Sequence, residues 1–146
     1  MKWLVPDASV AIKWFVPEHD SDQALLILDE YDSGLYRFVA PELLVSEIGN
    51  ILWKKRDLVD KESGTAIIRN LLEWDIALVP STRIITAAYR LAWRYERTVY
   101  DSMYLATAQL YRCDMVTADE RLTTPSESGC PLSNCSGIGH SVRNTG

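Results

Sequence analysis

The chain has 146 residues, of which 47% are hydrophobic and 24% are charged, so it can bury a core, and disorder of the whole chain is excluded. Its net charge of −5 counts against a module that binds nucleic acid through overall positive charge, but not against an enzyme whose acids bind divalent metal ions. No segment predicts a signal peptide or a membrane span, and the three cysteines make no extracellular disulfide framework, so we expect a cytoplasmic protein.

The first half of the chain predicts alternating strands and helices. A continuous apolar run indicates a buried strand over residues 2–6, and a helix over 8–15 follows and is ended by Pro17. We expect a second helix over 20–32 and a short strand over 37–40. A long helix follows, with Pro41 in its first turn, where the missing N–H costs nothing, and continues to about residue 56.

The second half repeats this alternation. It predicts a helix over 61–74, a strand over 76–79, an amphipathic helix over 82–95, a buried helix over 102–111 and a last clear strand over 115–117. The core side of the amphipathic helix is expected to carry Ile85, Ala88, Leu91 and Ala92. This order predicts an α/β fold with a mainly parallel sheet covered by helices on both faces. Residues 1–124 are expected to form the domain and 125–146 an irregular tail.

Three aspartates lie where predicted elements meet. Asp7 follows the first strand and Asp119 follows the last one, while Asp101 opens the buried helix. Because the carboxyl ends of parallel strands share a crevice, the two aspartates at strand ends are expected to converge there. Aspartate is also a favoured N-cap residue, so helix capping is an alternative role for each of the three, and capping does not exclude metal binding.

Glu47 falls at the shoulder of a core-facing helical arc. That arc consists of Leu44, Ile48, Ile51 and Leu52. A carboxylate at such an edge is costly unless it is paired, hydrogen-bonded, bound to a metal ion or able to reach water. Asp101 shows the same anomaly, because it aligns with Leu105 and Ala108 on a helix with almost no polar face.

A cluster of these carboxylates predicts a divalent-metal site. Two unit charges about 4 Å apart repel by roughly 4 kcal/mol at an effective dielectric of about 20, so the acids stay together only when cations neutralise them. Oxygen ligands without histidine or cysteine favour Mg²⁺ or Mn²⁺ over zinc. Such ions activate water and stabilise charge on a phosphate, which indicates phosphodiester hydrolysis.

Four segments carry the acids: VPDASVAIKWF at 5–15, PELLVSEIGNIL at 41–52, VYDSMYLATAQL at 99–110 and MVTADERL at 115–122. In this order they resemble the PIN-domain family, and specifically its VapC-type toxin ribonucleases from toxin–antitoxin pairs. Carried over onto these segments, the acidic site of the family falls on Asp7, Glu47, Asp101 and Asp119. The supporting positions fall on Ser9, Asn50 and Thr117.

The resemblance covers about residues 2–123 and implies a three-layer α/β/α fold. It also implies a metal-dependent endoribonuclease that requires Mg²⁺ or Mn²⁺ and acts on RNA. The expected protein partners are a cognate antitoxin and a second copy of the chain in a homodimer, and no membrane role is expected. In the mechanism that the resemblance suggests, Asp7, Asp101 and Asp119 hold one or two ions that activate water. Glu47 is then a further ligand or the base that orients the water.

Two other functional interpretations stay open. A phospho-acceptor receiver domain also has acids at strand ends and binds Mg²⁺. It usually has two adjacent acids after its first strand, where this chain has Asp7 alone, and a lysine after a later strand, which this chain lacks. A non-catalytic PIN-like binding or regulatory domain would keep the fold as a scaffold, and the complete set of four acids argues against it.

Basic and aromatic residues offer further candidates for RNA contact. Lys13, Arg97 and Arg121 flank the acidic motifs and are placed to meet phosphates, although most such residues are simply solvated. Tryptophans can stack on bases, but here their spread among apolar residues favours packing in the core or an interface. The five tryptophans are Trp3, Trp14, Trp53, Trp74 and Trp93.

The tail departs from the family pattern. PIN-like domains usually finish with a further short apolar strand, whereas the apolar anchors here are only Pro131, Leu132 and Ile138, so closure of the sheet at that edge is in doubt. Cys130, Cys135 and His140 are potential zinc ligands, but their spacing fits none of the usual paired patterns and a fourth ligand is not evident.

Overall fold

The computed structural model describes residues 2–18, 21–118 and 135–137 of the chain. Its strands are β1 (Lys2–Pro6), β2 (Tyr36–Pro41), β3 (Ala77–Val79), β4 (Asp114–Thr117) and β5 (Cys135–Gly137). They form one sheet in the order β3-β2-β1-β4-β5, and all the described pairings are parallel. The predicted parallel sheet is therefore confirmed.

Helices connect these strands and cover the sheet. They are α1 (Ala8–Ala11), which continues as a 3₁₀ turn over Ile12–Trp14, α2 (Ser21–Asp32), α3 (Leu43–Lys54), α4 (Lys61–Glu73), α5 (Ser81–Tyr95) and α6 (Val99–Tyr111). Helix α6 packs against β1, β2 and β4, and α5 packs on α6, while α2 and α3 pack against β2. The arrangement is the expected three-layer α/β/α fold. Within the described segments, no helix is long and apolar enough to span a membrane.

The order of the strands reverses beside β1. The chain starts at β1, extends the sheet through β2 and β3, and then returns to add β4 on the other side of β1. Open parallel sheets bind ligands in the crevice at the carboxyl ends of the strands where such a reversal occurs. The register pairs Pro6 with Val116, so the next residues, Asp7 and Thr117, meet at that crevice.

Two details of the predicted elements are wrong. Pro41 ends β2 and is not in the first turn of α3, because it pairs in register with Val79, and the Glu42 N–H continues the ladder by donating to Val79 O at 2.9 Å. On α5, Ile84 is buried and Ile85 is exposed, the reverse of the prediction. Neighbouring helical positions differ by about 100° around the axis, so a one-residue error moves a side chain from the core to solvent.

A short strand lies in the segment for which the sequence predicts an irregular tail. Strand β5 pairs with β4 in parallel, with Thr117 opposite Gly137. The prediction is wrong at these three residues, because the exposed edge of β4 offers backbone groups that a partner strand can pair with whatever its side chains are. Cys130, His140, Asp119 and Arg121 lie outside the described residues.

Stacked aromatic rings fill the core beside β2. The Phe38 ring lies between Trp14, at 4.9 Å between centroids, and Tyr31, at 4.4 Å. Trp74 covers this stack at 5.4 Å from Trp14. Trp14 also satisfies its indole N–H by donating to Ala24 O at 2.9 Å. This stack holds α2, β2 and the segment after α1 together, so it supports the start of the chain on which Asp7 lies.

The predicted burial of the tryptophans is confirmed for some of them only. Trp14 is buried, and Trp3 and Trp74 are partly buried against the core. Trp53 and Trp93 are exposed by 62% and 73%, so neither packs in the core, and packing of these two in an interface stays a prediction. The sequence places both on helices with apolar neighbours, but both point away from the core.

Replacing the central ring of the aromatic stack is expected to destabilise the protein strongly. Phe38 is fully buried between two rings, so Phe38→Ala should lower the free energy of unfolding by about 3–5 kcal/mol. Urea unfolding followed by far-UV circular dichroism measures this loss. The matched control is Leu72→Ala on the exposed side of α4, which should change stability by no more than about 0.5 kcal/mol. Equal losses in the two variants would contradict the assignment of the core.

Candidate active site

Asp7 lies at the junction of β1, β4 and α1. Its backbone N–H donates to Val116 O at 3.1 Å, and its side chain caps α1 by accepting the Val10 N–H at 3.2 Å. The side chain is only 5% exposed. Asp7 is therefore an N-cap residue, as the sequence allowed. The cap uses only one of the hydrogen bonds that the carboxylate accepts.

Two hydroxyl groups hold the Asp7 carboxylate from either side. Ser9 donates to Oδ1, and Thr117 donates to Oδ2. The Ser9 oxygen in turn accepts the Ala118 N–H at 2.9 Å, which connects α1 to the end of β4. The structure thus brings together Asp7, Ser9 and Thr117, three of the residues predicted for the site.

The Asp7 carboxylate carries a net cost of burial. Desolvation raises its pKa above the ordinary value, although the hydrogen bonds from Ser9, Thr117 and the Val10 N–H act in the opposite direction. Among the described residues, no basic side chain forms an ion pair with it. A cation that reached Asp7 would therefore restore the charge balance that burial has removed.

Glu47 approaches the same site from α3. It is half-buried, and its Oε2 accepts a hydrogen bond from the Tyr104 hydroxyl of α6 at 2.9 Å. Burial raises the pKa of Glu47, the Tyr104 hydrogen bond lowers it, and the charges of Asp7 and Asp101 raise it further. Asp7 and Asp101 therefore lie near enough to Glu47 for their charges to act on it, which is consistent with the predicted shared site.

Asp101 is in the first turn of α6 and does not cap that helix. The cap is Thr98, whose hydroxyl oxygen accepts the Asp101 N–H at 3.1 Å. The alternative role of Asp101 as an N-cap is therefore wrong, because a hydroxyl residue three positions earlier already satisfies the helix terminus. The Asp101 carboxylate is half-buried and accepts no recorded hydrogen bond within the described part of the chain.

Tyr104 belongs to the site, and sequence reasoning missed it. Its ring is buried, and its pKa is raised above its ordinary range by burial and by the charges of Glu47, Asp7 and Asp101, so the hydroxyl stays protonated and donates to Glu47. The signal was present in the sequence. Tyr104 follows Asp101 by three positions on a nearly apolar helix, and a buried tyrosine hydroxyl usually finds a partner.

The donor set fits a hard divalent cation. Asp7, Glu47 and Asp101 supply only carboxylate oxygens, the ligands that Mg²⁺ and Mn²⁺ prefer, and each of them adds negative charge that such an ion would offset. Within the described residues, no three His, Cys, Asp or Glu side chains are close enough to hold one ion by themselves. Asp119, the fourth predicted ligand, lies outside those residues.

The remaining predicted residues are placed less closely. Asn50 is exposed and has no recorded hydrogen bond to Glu47 in the described structure. Lys13 is largely buried and pairs with Glu18 at 3.2 Å, and Glu18 also pairs with Lys55 at 2.6 Å. A contact between Lys13 and a phosphate therefore stays a prediction. Arg97 is half-buried in the turn before α6.

Comparison with known families and proteins gives consistent matches over most of the chain. The family model described as PIN domain matches residues 4–126. Ribonuclease VapC3 of Pyrobaculum aerophilum is 30% identical over 123 residues, which cover 82% of this chain and 91% of that protein. Ribonuclease VapC9 of Mycobacterium tuberculosis is 27% identical over 131 residues, which cover 88% of this chain and 95% of that protein.

Solved structures share the fold at low sequence identity. VapBC2 from Rickettsia felis, bound to a DNA fragment from its promoter, superposes with a TM-score of 0.63 at 9% identity and covers 92% of this chain and 98% of that one. A toxin–antitoxin complex from Klebsiella pneumoniae gives a TM-score of 0.59 at 15% identity, with 92% and 97% covered. At these identities the likeness establishes the three-layer fold.

Removing the Tyr104 hydroxyl is expected to weaken metal binding. Tyr104→Phe keeps the buried ring but leaves Glu47 without the hydrogen bond that orients it, and loss of such an outer partner typically reduces metal affinity about 10- to 100-fold. Isothermal titration with Mn²⁺ measures the change. Tyr111→Phe, the same substitution further along α6, is the control and should bind Mn²⁺ like the wild type. An unchanged affinity for Tyr104→Phe would show that Glu47 does not depend on this hydrogen bond.

The Glu18 ion pairs should make stability depend on pH. Although burial acts to raise it, hydrogen bonds and charge from Lys55 and Lys13 lower the pKa of Glu18 in the folded protein. The stabilisation is therefore complete above the unfolded pKa of about 4.3 and is lost as the pH falls through the lower folded value. Glu18→Gln should reduce the free energy of unfolding by up to about 1 kcal/mol at neutral pH, and the difference should vanish in acid. Urea unfolding of both proteins across this pH range checks the trend.

Proposed function

The chain belongs to the PIN domain family, and from that membership we propose that it is a metal-dependent endoribonuclease that hydrolyses RNA phosphodiesters as the toxin of a toxin–antitoxin pair. One structural observation supports this most directly. The buried Asp7 carboxylate is fixed by two hydroxyls at the reversal of strand order, and Glu47 and Asp101 add their charges beside it without a described counter-ion. Such a cluster suits cation binding and not core packing.

The acids have different roles in the proposed site. Asp7, Glu47, Asp101 and Asp119, the last assigned by the sequence motifs, would hold one or two Mg²⁺ or Mn²⁺ ions, some directly and some through bound water. When bound, the ion supplies positive charge that activates water and offsets the charge developing on the phosphate. Asp7 is held rigidly by Ser9 and Thr117, so it sets the position of the site. Tyr104 keeps a proton on its hydroxyl and directs one Glu47 oxygen, leaving the other available.

Partners follow from the relatives by analogy. Curated relatives are named as VapC ribonucleases, and two structural neighbours are toxin–antitoxin assemblies, one of them on promoter DNA. We therefore expect an RNA substrate, a cognate antitoxin protein and a homodimer in the cytoplasm. The receiver-like interpretation is wrong, because the chain belongs to a different family. A non-catalytic PIN-like domain is the alternative that experiment must exclude.

Cleavage of RNA by the purified protein tests the proposal. End-labelled single-stranded RNA should be cut in the presence of Mg²⁺ or Mn²⁺ and left intact in EDTA. Asp7→Asn replaces a carboxylate that would bind the metal ion directly and that positions the site. Cleavage should therefore fall by more than roughly 100-fold, the upper end of the loss when a residue that only orients a metal ligand is removed. Asp29→Asn, which makes the same change at an exposed position on α2, should cut like the wild type.

The controls distinguish the alternatives. Cutting that survives in Asp7→Asn would indicate a contaminating ribonuclease. A wild-type protein that fails to cut any of several RNAs and also fails to bind Mn²⁺ by titration would establish the non-catalytic alternative. Thermal melting in EDTA shows whether Asp7→Asn is folded. Because Asp7 is buried without a described cation, its replacement by a neutral isostere should not lower the melting temperature of the metal-free protein.

A further inference from the structure

Helix α5 is basic in an acidic chain. Its 15 residues contain three arginines, Arg83, Arg90 and Arg94, and no acidic residue, whereas the whole chain has a net charge of −5. None of the three arginines forms an ion pair with another described residue. The surface of α5 therefore keeps an uncompensated positive charge.

Two large aromatic side chains lie on the same exposed side of α5. The buried side of the helix is formed by Ile84, Ala88, Leu91 and Tyr95. On the opposite side, Tyr89 is 55% exposed and Trp93 is 73% exposed, and their rings meet edge to face at 6.4 Å between centroids. The helical period places Arg90 next to Trp93 and puts Arg83 and Arg94 on the adjoining flank of the helix, where Arg94 lies over the Tyr95 ring at 5.2 Å. We call Arg83, Tyr89, Arg90, Trp93 and Arg94 the arginine–aromatic face.

The C-terminal end of the arginine–aromatic face is the end nearest the acidic site. Helix α5 packs along α6, and only residues 96–98 separate them, so the C-terminal end of α5 lies beside the first turn of α6. That first turn contains Asp101. Tyr100, the residue before it, is also exposed. From Arg83 to Arg94 the face measures about 16 Å along the helix.

We propose that the arginine–aromatic face binds single-stranded RNA next to the cleavage site, with the arginines on phosphates and the Tyr89 and Trp93 rings stacked on bases. This inference rests on the proposed function, because it takes RNA as the substrate. Surfaces that bind single strands combine positive charge along the backbone with aromatic rings that stack on any base. The acidic crevice repels a polyanion, so affinity for RNA must come from another part of the surface.

Other occupants fit this face less well. Two copies of the chain related by a two-fold axis through α5 would place arginines against arginines, since the face carries no acid to pair with them. An acidic peptide would match the charge, but it has no flat ring systems to cover the exposed indole and phenol rings. Bases and phosphates together satisfy both kinds of side chain on the face.

Fluorescence anisotropy with a labelled oligouridylate of about 20 nucleotides tests the proposal, in EDTA so that no cleavage occurs. Trp93→Ala should weaken binding at least about fivefold, since stacking on one base is worth that much or more. Arg90→Gln/Arg94→Gln should lower the slope of log K against log salt by about 1.4, or about 0.7 for each phosphate that no longer meets an arginine. Circular dichroism confirms that each variant is folded.

Matched variants elsewhere on the surface control for nonspecific effects. Trp53→Ala removes another exposed tryptophan, which has an arginine, Arg56, over its ring at 4.2 Å. Lys61→Gln/Arg69→Gln removes two exposed positive charges from α4. Both variants should bind the oligouridylate with the wild-type affinity and nearly the wild-type salt slope. Asp7→Asn should bind at least as tightly as the wild type, because it alters the acidic site and leaves α5 intact.

The outcomes separate this proposal from the nuclease proposal. If the wild type binds the oligouridylate through α5 but never cuts RNA, the proposed RNA-binding role of the face is supported and the nuclease proposal fails. Equal binding of the oligouridylate by Trp93→Ala and Trp53→Ala would overturn the proposed RNA-binding role of the face, even if cleavage is demonstrated. Displacement of the RNA by polyglutamate of equal charge would assign the face to acidic proteins. Conversion of a dimer into monomers by Trp93→Ala, seen in sedimentation, would assign it to a second copy of the chain.

Discussion

The burial of the Asp7 carboxylate between β1 and β4 is the constraint on which the rest of the site depends. The reversal of strand order places that residue at the end of a central strand, where it is almost closed off from water. A buried carboxylate has to be satisfied by its surroundings, and the chain supplies two hydroxyls and one backbone N–H but no described cation. The fold thus presents a negative charge that the described residues do not fully compensate.

The three described carboxylates differ in how tightly the protein holds them. Asp7 accepts hydrogen bonds on both oxygens, Glu47 accepts one from Tyr104, and Asp101 accepts none that the described structure records. All three project from a strand end or a helix, which positions them better than a loop would. Because the carboxylates range from rigidly held to adjustable, Asp7 would fix the position of an ion in the proposed site, and Glu47 and Asp101 could adapt around it.

The sequence predicts the architecture well because the periodicity of apolar residues reports burial, and burial sets the elements. It predicts that the ends of the first and last strands converge at one crevice because parallel strands align their ends, and Asp7 and Thr117 do meet there. It fails where the outcome depends on a contact between distant segments. Pro41 stays extended because Val79 lies beside it, β5 forms because β4 has a free edge, and Thr98, not Asp101, caps α6 because two good caps compete. Tyr104 was missed because its partner Glu47 is 57 positions away in the chain.

The distribution of charge in this chain agrees with the proposed role of its acids. A crevice of carboxylates suits cations but repels the phosphates of a polyanionic substrate, so one surface cannot provide both catalysis and affinity. The chain separates the two: Asp7, Glu47 and Asp101 lie around the crevice, and the arginines of α5, which pair with no acid among the described residues, lie one helix away. Helix α6 packs against both the sheet and α5 and carries Asp101 in its first turn, so it fixes the distance between them. A net charge of −5 therefore says little about RNA binding, because the local arrangement of charge decides it.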